Sequence, residues 1–226
     1  LHAEQKRVRE RLSELDPGIL IHASDTADID IITNNLFGVD VNRESVEITK
    51  LALWLKTAKR QRKLESLDGN IKWGNSLVDS AEFDPHPFDW RTGFPEILNG
   101  SPDEGFDIVL GNPPYVRMEL LKAIKPHLQV RYKIAADRAD LYAYFFELAV
   151  GLLNPGGRMG FISSSTFFRT GSGKPLRAFL AEHARVETVV DFGDLQVFEG
   201  VTTYPAIVVL RKPESDAPPL ADLSYL

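Results

Sequence analysis

The residues of this chain with the clearest chemical purpose are Asn112, Pro113, Pro114 and Tyr115, which follow the apolar run Phe106–Leu110 and Gly111. The asparagine oxygen and the backbone carbonyl that follows it are two hydrogen-bond acceptors held close together. Such a pair suits an amino nitrogen whose lone pair is delocalised into a ring or a carbonyl. Acceptors on both of its N–H bonds favour the tetrahedral geometry that the nitrogen needs to attack an electrophilic methyl group, and they stabilise the positive charge that develops. The two prolines fix φ and bring no N–H donors of their own. The Tyr115 ring offers a flat face on which a base can stack. In-line transfer from a sulfonium requires no protein nucleophile and no acid–base pair, so positioning supplies much of the rate.

Two other polar residues stand at the ends of apolar runs. Asp40 closes Leu36-Phe-Gly-Val39, and Asn75 follows Asn70-Ile-Lys-Trp73 and Gly74. Strands that alternate with helices predict a doubly wound α/β sheet. Ligands in such sheets bind beyond the carboxyl ends of the strands, which is where Asp40, Asn75 and Asn112 fall.

The elements that must position these residues can be read in order. Leu1–Leu15 reads as a helix stopped by Asp16-Pro17-Gly18, and 29–35 as a short helix. A strand ends at Asp40, and Asn42 is placed to cap a helix that runs to about Arg62. Val46, Leu51, Leu53, Trp54 and Leu55 supply its apolar side. Residues 70–73 form a second strand, 79–105 a long irregular connection, and 106–110 a third strand. Residues 120–132 look helical but broken at Pro126. Asp140–Leu153 is a strong helix ended by Asn154-Pro-Gly-Gly157. Strands at 158–162, 186–192 and 204–210 surround a helix at 175–183, with Pro175 in its first turn. Residues 1–35 therefore read as a helical lead-in, 36–211 as a catalytic core, and 212–226 as a linker rich in proline and polar residues.

Composition narrows the options. The chain is 43% hydrophobic and 26% charged, as ordinary globular domains are. It has no run of about 18 apolar residues, so no membrane span is expected. With no cysteine, disulfides, thiolate zinc sites and cysteine nucleophiles are excluded, no metal site is expected, and a cytoplasmic location is anticipated. Net charge is −6, whereas nucleic-acid binders are usually basic. Positive charge is local. Lys56, Lys59, Arg60, Arg62 and Lys63 form one cluster, best read as a solvated helix face. Arg117, Lys122, Lys125, Arg131, Lys133 and Arg138 form a second, which follows the asparagine–proline motif and is a candidate nucleic-acid contact.

The run Asp107-Ile-Val-Leu-Gly-Asn-Pro-Pro-Tyr-Val-Arg117 resembles the catalytic motif of the amino-group (N6-adenine) DNA methyltransferases. It is most similar to the large adenine enzymes of restriction–modification and phage-defence systems, some of them fused to a nuclease. The resemblance extends from about Leu36 to Leu210. It implies a Rossmann-like class I fold, S-adenosyl-L-methionine as cofactor, double-stranded DNA as partner, and methyl transfer to the exocyclic amine of a flipped adenine. Phe37-Gly-Val-Asp40 resembles the motif whose acid binds the cofactor ribose. Trp73-Gly-Asn75 resembles the motif that contacts its adenine. Gln196-Val-Phe198, ahead of Val201-Thr-Thr-Tyr204-Pro, resembles the late motif that sets an aromatic on the far face of the target base. By this resemblance Asn112, Pro113, Pro114 and Tyr115 are catalytic, Asp40 and Asn75 bind cofactor, and Tyr115 and Phe198 sandwich the base. Tyr204 is the competing aromatic.

Two departures from the family pattern carry expectations. The family's first motif, a strand and glycine-containing loop that hold the methionine end of the cofactor, has no counterpart before Asp40. That strand lies in the family between those ending at Asp40 and Asn112, so the sheet is expected to lack a central strand, and the chain alone to bind cofactor weakly. A target-recognition domain, and with it much of the DNA affinity, is expected beyond Leu226. Enzymes methylating protein glutamine or RNA share the same loop and remain an alternative, as does a non-catalytic binding scaffold.

Overall fold

A computed structural model describes residues 29–57, 66–116, 122–134, 140–195, 197 and 204–214. The chain divides into two compact units, Leu1–Gly74 and Asn75–Leu226. The expected helix over 1–15 lies outside the described residues, as do 58–65 and 215–226.

In the first unit a helical segment over 29–34 leads to β1 (Gly38–Asp40), α1 (Arg43–Thr57) and β2 (Ile71–Trp73). β1 and β2 are parallel, with Gly38 opposite Ile71 and Asp40 opposite Trp73. Asn42 caps α1 as expected: its Oδ1 accepts from the Ser45 N–H at 2.8 Å. The apolar side of α1 is in part the one expected, with Leu53 and Trp54 half-buried. Val46 is buried at 2% exposure, while Ile48, Leu51 and Leu55 are exposed. Helical spacing aligns Val46 with Lys50 and Leu53, and sets Ile48, Leu51 and Leu55 on another face. Lys50 is buried on the packed face because its ammonium reaches Glu47 at 3.1 Å and Asp68 at 2.7 Å. Asn70 ties the start of β1 in place. Its Nδ2 donates to the carbonyls of Thr33 at 2.7 Å and Leu36 at 3.1 Å, and its own carbonyl accepts from Gly38.

The second unit is built on a four-stranded sheet, order β3-β4-β6-β5, from β3 (Phe106–Gly111), β4 (Leu153–Ser164), β5 (Arg185–Asp191) and β6 (Pro205–Arg211). β3 and β4 are parallel, and β6 runs antiparallel to both its neighbours. The connection before β3 has its own packed aromatics: Phe88 and Phe94 are buried, and Trp90 sits 5.3 Å from Phe88 and 5.7 Å from Phe94. Its short helix α2 (Trp90–Gly93) is capped by the Asp89 carboxylate.

Three more helices follow, α3 (Lys125–Arg131), α4 (Leu141–Leu152) and α5 (Lys174–His183). Pro126 does not break a helix. It stands in the first turn of α3, where its missing N–H costs no hydrogen bond. α4 is the centre of the core: Tyr144, Phe146, Met159 of β4, Leu176 of α5 and Leu210 of β6 are all sealed from solvent. These helices cover one face of the sheet. On the other face Ile108 and Leu110 of β3 are 55% and 77% exposed.

Among the described residues β1 pairs with β2 alone, β3 pairs with β4 alone, and no ladder joins the two sheets. No helix of the described residues is long and apolar enough to cross a membrane.

Candidate active site at the carboxyl ends of the strands

Because β3 and β4 are parallel, with Gly111 opposite Phe161, the chain leaves both strands at one end of the sheet. Gly111 permits the exit of β3, since a Cβ there would stand 2.8 Å from the Phe161 ring. Asn112 then emerges exposed, Pro113 is buried, Pro114 exposed, and Tyr115 and Val116 half-buried. The buried proline anchors the segment and leaves the asparagine amide in solvent. Tyr115 packs against the core, and its hydroxyl is buried with no hydrogen-bond partner among the described residues. Burial pushes that phenol above its usual pKa. The Val116 carbonyl accepts from the Leu141 N–H at 2.9 Å, which ties the loop to the first residue of α4.

The chain leaves β4 at Ser164 and turns through a short 3₁₀ segment, Ser165–Phe168. Opposite Ser164 stands Pro205, and the Ser165 N–H donates to the Tyr204 carbonyl at 2.7 Å. Tyr204 is half exposed there. Phe198 lies outside the described residues. The connection that holds it starts after Asp191 and ends before Pro205, and these two flank Ala206 and Ser164 at the same end of the sheet.

Asp40 is exposed at the carboxyl end of β1, and its Oδ1 accepts from the Asn42 N–H at 2.7 Å. A carboxylate so placed is chemically suited to a vicinal diol. Asn75 is half-buried and more constrained. Its Oδ1 accepts from the Leu77 N–H at 3.1 Å and its Nδ2 donates to Asp84 at 2.8 Å. One N–H and one oxygen lone pair of the amide remain for a ligand. Asp84, which fixes this orientation, was not singled out in the sequence because it lies in an irregular stretch with no period to mark it.

Two members of the second basic cluster have partners within the chain. Arg131 pairs with Asp79, whose other oxygen lies 3.2 Å from His127 Nε2. Lys133 Nζ sits 3.5 Å from His183 Nε2. Arg117 and Arg138, like Lys59, Arg60, Arg62 and Lys63 of the first cluster, lie outside the described residues.

A class I S-adenosylmethionine-dependent methyltransferase fold accounts for the strand order and for a polar residue at or just after the carboxyl end of each of β1, β2 and β3. A structure described as such an enzyme from Listeria monocytogenes aligns with 82% of this chain and 46% of its own, at TM-score 0.53 and 14% identity. The restriction–modification enzyme LlaGI, of Type ISP, in a nuclease-deletion form bound to a DNA substrate mimic, aligns with 93% of this chain and 20% of its own, at TM-score 0.58 and 17% identity. The chain belongs to the Eco57I restriction-modification methylase family, which it matches over residues 34–198. It is 30% identical to the Type II restriction enzyme and methyltransferase RM.Eco57I of Escherichia coli across 83% of this chain, and spans 20% of that protein's length.

Proposed function

We propose that this chain is the catalytic core of a site-specific DNA adenine-N6 methyltransferase from a restriction–modification or phage-defence protein. The observation that carries the reading is the exposed Asn112 amide, anchored by buried Pro113 at the carboxyl end of β3 with Tyr115 beside it. Membership of the Eco57I family supports it, as do the restriction and methyltransferase activities in the name of RM.Eco57I and the DNA mimic held by LlaGI. When bound, S-adenosyl-L-methionine supplies a methyl group on a sulfonium, and Asp40 and Asn75 are the residues of this chain suited to its ribose and adenine. Asn112 Oδ1 and the Pro113 carbonyl accept from the two N–H bonds of the target amine. Tyr115 stacks on the extruded adenine, and Phe198 takes its other face. Unstacking the base costs a few kcal/mol, which these faces offset.

The test is transfer of labelled methyl from S-adenosyl-L-methionine to duplex DNA by the full-length protein, with digestion to nucleosides. Label in N6-methyl-2′-deoxyadenosine, lowered by about 10²–10³ in kcat by Asn112→Ala, is expected from the loss of one preorganised acceptor. Label in protein with DNA blank would move the substrate to a glutamine side chain and leave Phe198 without its role.

A further inference from the structure

The segment that leaves β4 carries cations that the scheme above does not use. No aspartate or glutamate lies between Glu147 and Glu182, in a chain whose net charge is −6. Within that stretch Arg169, Thr170, Ser172 and Lys174 are exposed. Arg169 and Lys174 make no ion pair or side-chain hydrogen bond among the described residues. The guanidinium groups of Arg91, Arg158 and Arg211 meet glutamates, by contrast, and that of Arg131 meets Asp79. The turn that presents the two cations is braced from within. Arg177 donates to the carbonyls of Phe167 and Thr170, the second at 3.0 Å. The Thr170 N–H donates to the Thr166 carbonyl at 3.1 Å, and the Gly173 N–H to the Thr170 carbonyl at 3.2 Å. Gly173 is buried so closely that a Cβ would stand 2.2 Å from the Phe167 carbonyl oxygen.

Two cations on a braced turn, with no acid to neutralise them, fit an anion that comes from outside the chain. Their place says which. β3 ends at Gly111 opposite Phe161, so Asn112 and the turn that starts at Ser165 follow at the same end of the sheet. Extruding a base turns its nucleotide about the backbone, which leaves the phosphates on either side of it at the mouth of the site. Contacts to such phosphates set register and carry no sequence information. We infer that Arg169 and Lys174 hold the phosphates that flank the extruded adenosine, on the strand that carries it. The turn after β4 is then a clamp on the DNA backbone, at the end of the sheet where Asn112 meets the base. This deepens the methyltransferase reading and rests on it.

The test uses the full-length protein with Arg169→Gln, Lys174→Gln and the double variant. Affinity for a random-sequence duplex is read by fluorescence anisotropy against salt, and kcat and KM on a duplex that the wild type methylates. Each phosphate contact contributes about 0.9 to the slope of log affinity on log salt, which amounts to about fivefold at about 0.15 M salt. Each single variant is expected to lower that slope by about one and to raise Kd and KM about fivefold with kcat unchanged. The double variant should combine the two losses. Arg169→Lys, which keeps the charge, should keep the slope. Lys56→Gln removes an exposed cation from α1 and should change neither slope nor KM. Slope and KM both unchanged in the double variant, a fall in kcat with KM unchanged, or an equal effect from Lys56→Gln would overturn the inference. A wild type that binds duplex and transfers no methyl to it would instead sink the functional reading, while the slopes still report on the two cations.

Discussion

The backbone N–H of Leu141 donates to the carbonyl of Val116 at 2.9 Å, so the first residue of the most buried helix holds the residue after Tyr115. This bond can be removed with little disturbance to the helix. Leu141 stands at the first helical position, where proline is tolerated. Asp140 before it has φ −75° and ψ 155°, a conformation that a following proline accepts. Leu141→Pro should lose about 2–3 kcal/mol of stability, part from the bond and part from trimmed apolar contact. Leu141→Ala keeps the N–H and loses contact only. If the bond positions the loop, Leu141→Pro should transfer methyl about tenfold more slowly than Leu141→Ala under saturating substrates. Equal rates for the two would assign the bond to folding alone.

Much of this site was legible because local rules govern it. The strand into Asn112, the Asn42 cap and the α4 boundaries all follow from apolar runs and from residues that start or stop helices within a turn. What could not be read depends on partners far along the chain. Arg131 looked available to a phosphate until Asp79, 52 positions earlier, was seen to hold it. On α1, Leu51 and Leu55 are exposed while Lys50 is buried, and a buried lysine is unexpected until Asp68 stands against it. The aromatics at 88–94 pack with one another inside a stretch whose glycines and prolines hide any period.

The buried Tyr115 hydroxyl has no partner among the described residues, so it contributes a desolvation cost and no bond. Tyr115→Phe removes that cost and keeps the ring. We expect stability unchanged or raised by about 1 kcal/mol in urea titration, with methyl transfer retained. Tyr115→Ala should lose methyl transfer through the missing stacking face, worth about 1–3 kcal/mol. A Phe variant that loses activity while folding normally would mean that the hydroxyl meets the substrate.

Asn70 controls the entry to β1. With its side chain gone, the carbonyls of Thr33 and Leu36 lose a donor in a half-buried setting. Asn70→Ala should cost about 1–3 kcal/mol of stability, read by urea denaturation. Asn70→Asp offers those carbonyls another acceptor in place of the N–H donor and should cost at least as much. If Asp40 binds the cofactor ribose, both should also weaken S-adenosyl-L-methionine binding by the full-length protein. A loss below a few tenths of a kcal/mol in both variants would remove Asn70 from the account of β1.

Burial, the largest cause, pushes the Tyr142 phenol up to about 12, and the Asp140 carboxylate acts in the same direction. An ordinary phenol titrates near 10 in the unfolded chain, so the folded state holds this proton more tightly. The sign follows from linkage: the contribution is complete below pH about 10, and is lost progressively as pH rises from there through about 12. Tyr115 and Tyr132, also raised by burial, titrate in the same direction, so the wild-type curve alone does not isolate Tyr142. Comparison with Tyr142→Phe does. Stability of the two proteins, measured by urea denaturation at fixed ionic strength, should differ by a constant amount up to pH about 10. Above it the wild type should lose more than the variant, and the gap between them should change until about pH 12. A gap that stays flat across that window would mean that the hydroxyl is solvated in the folded protein.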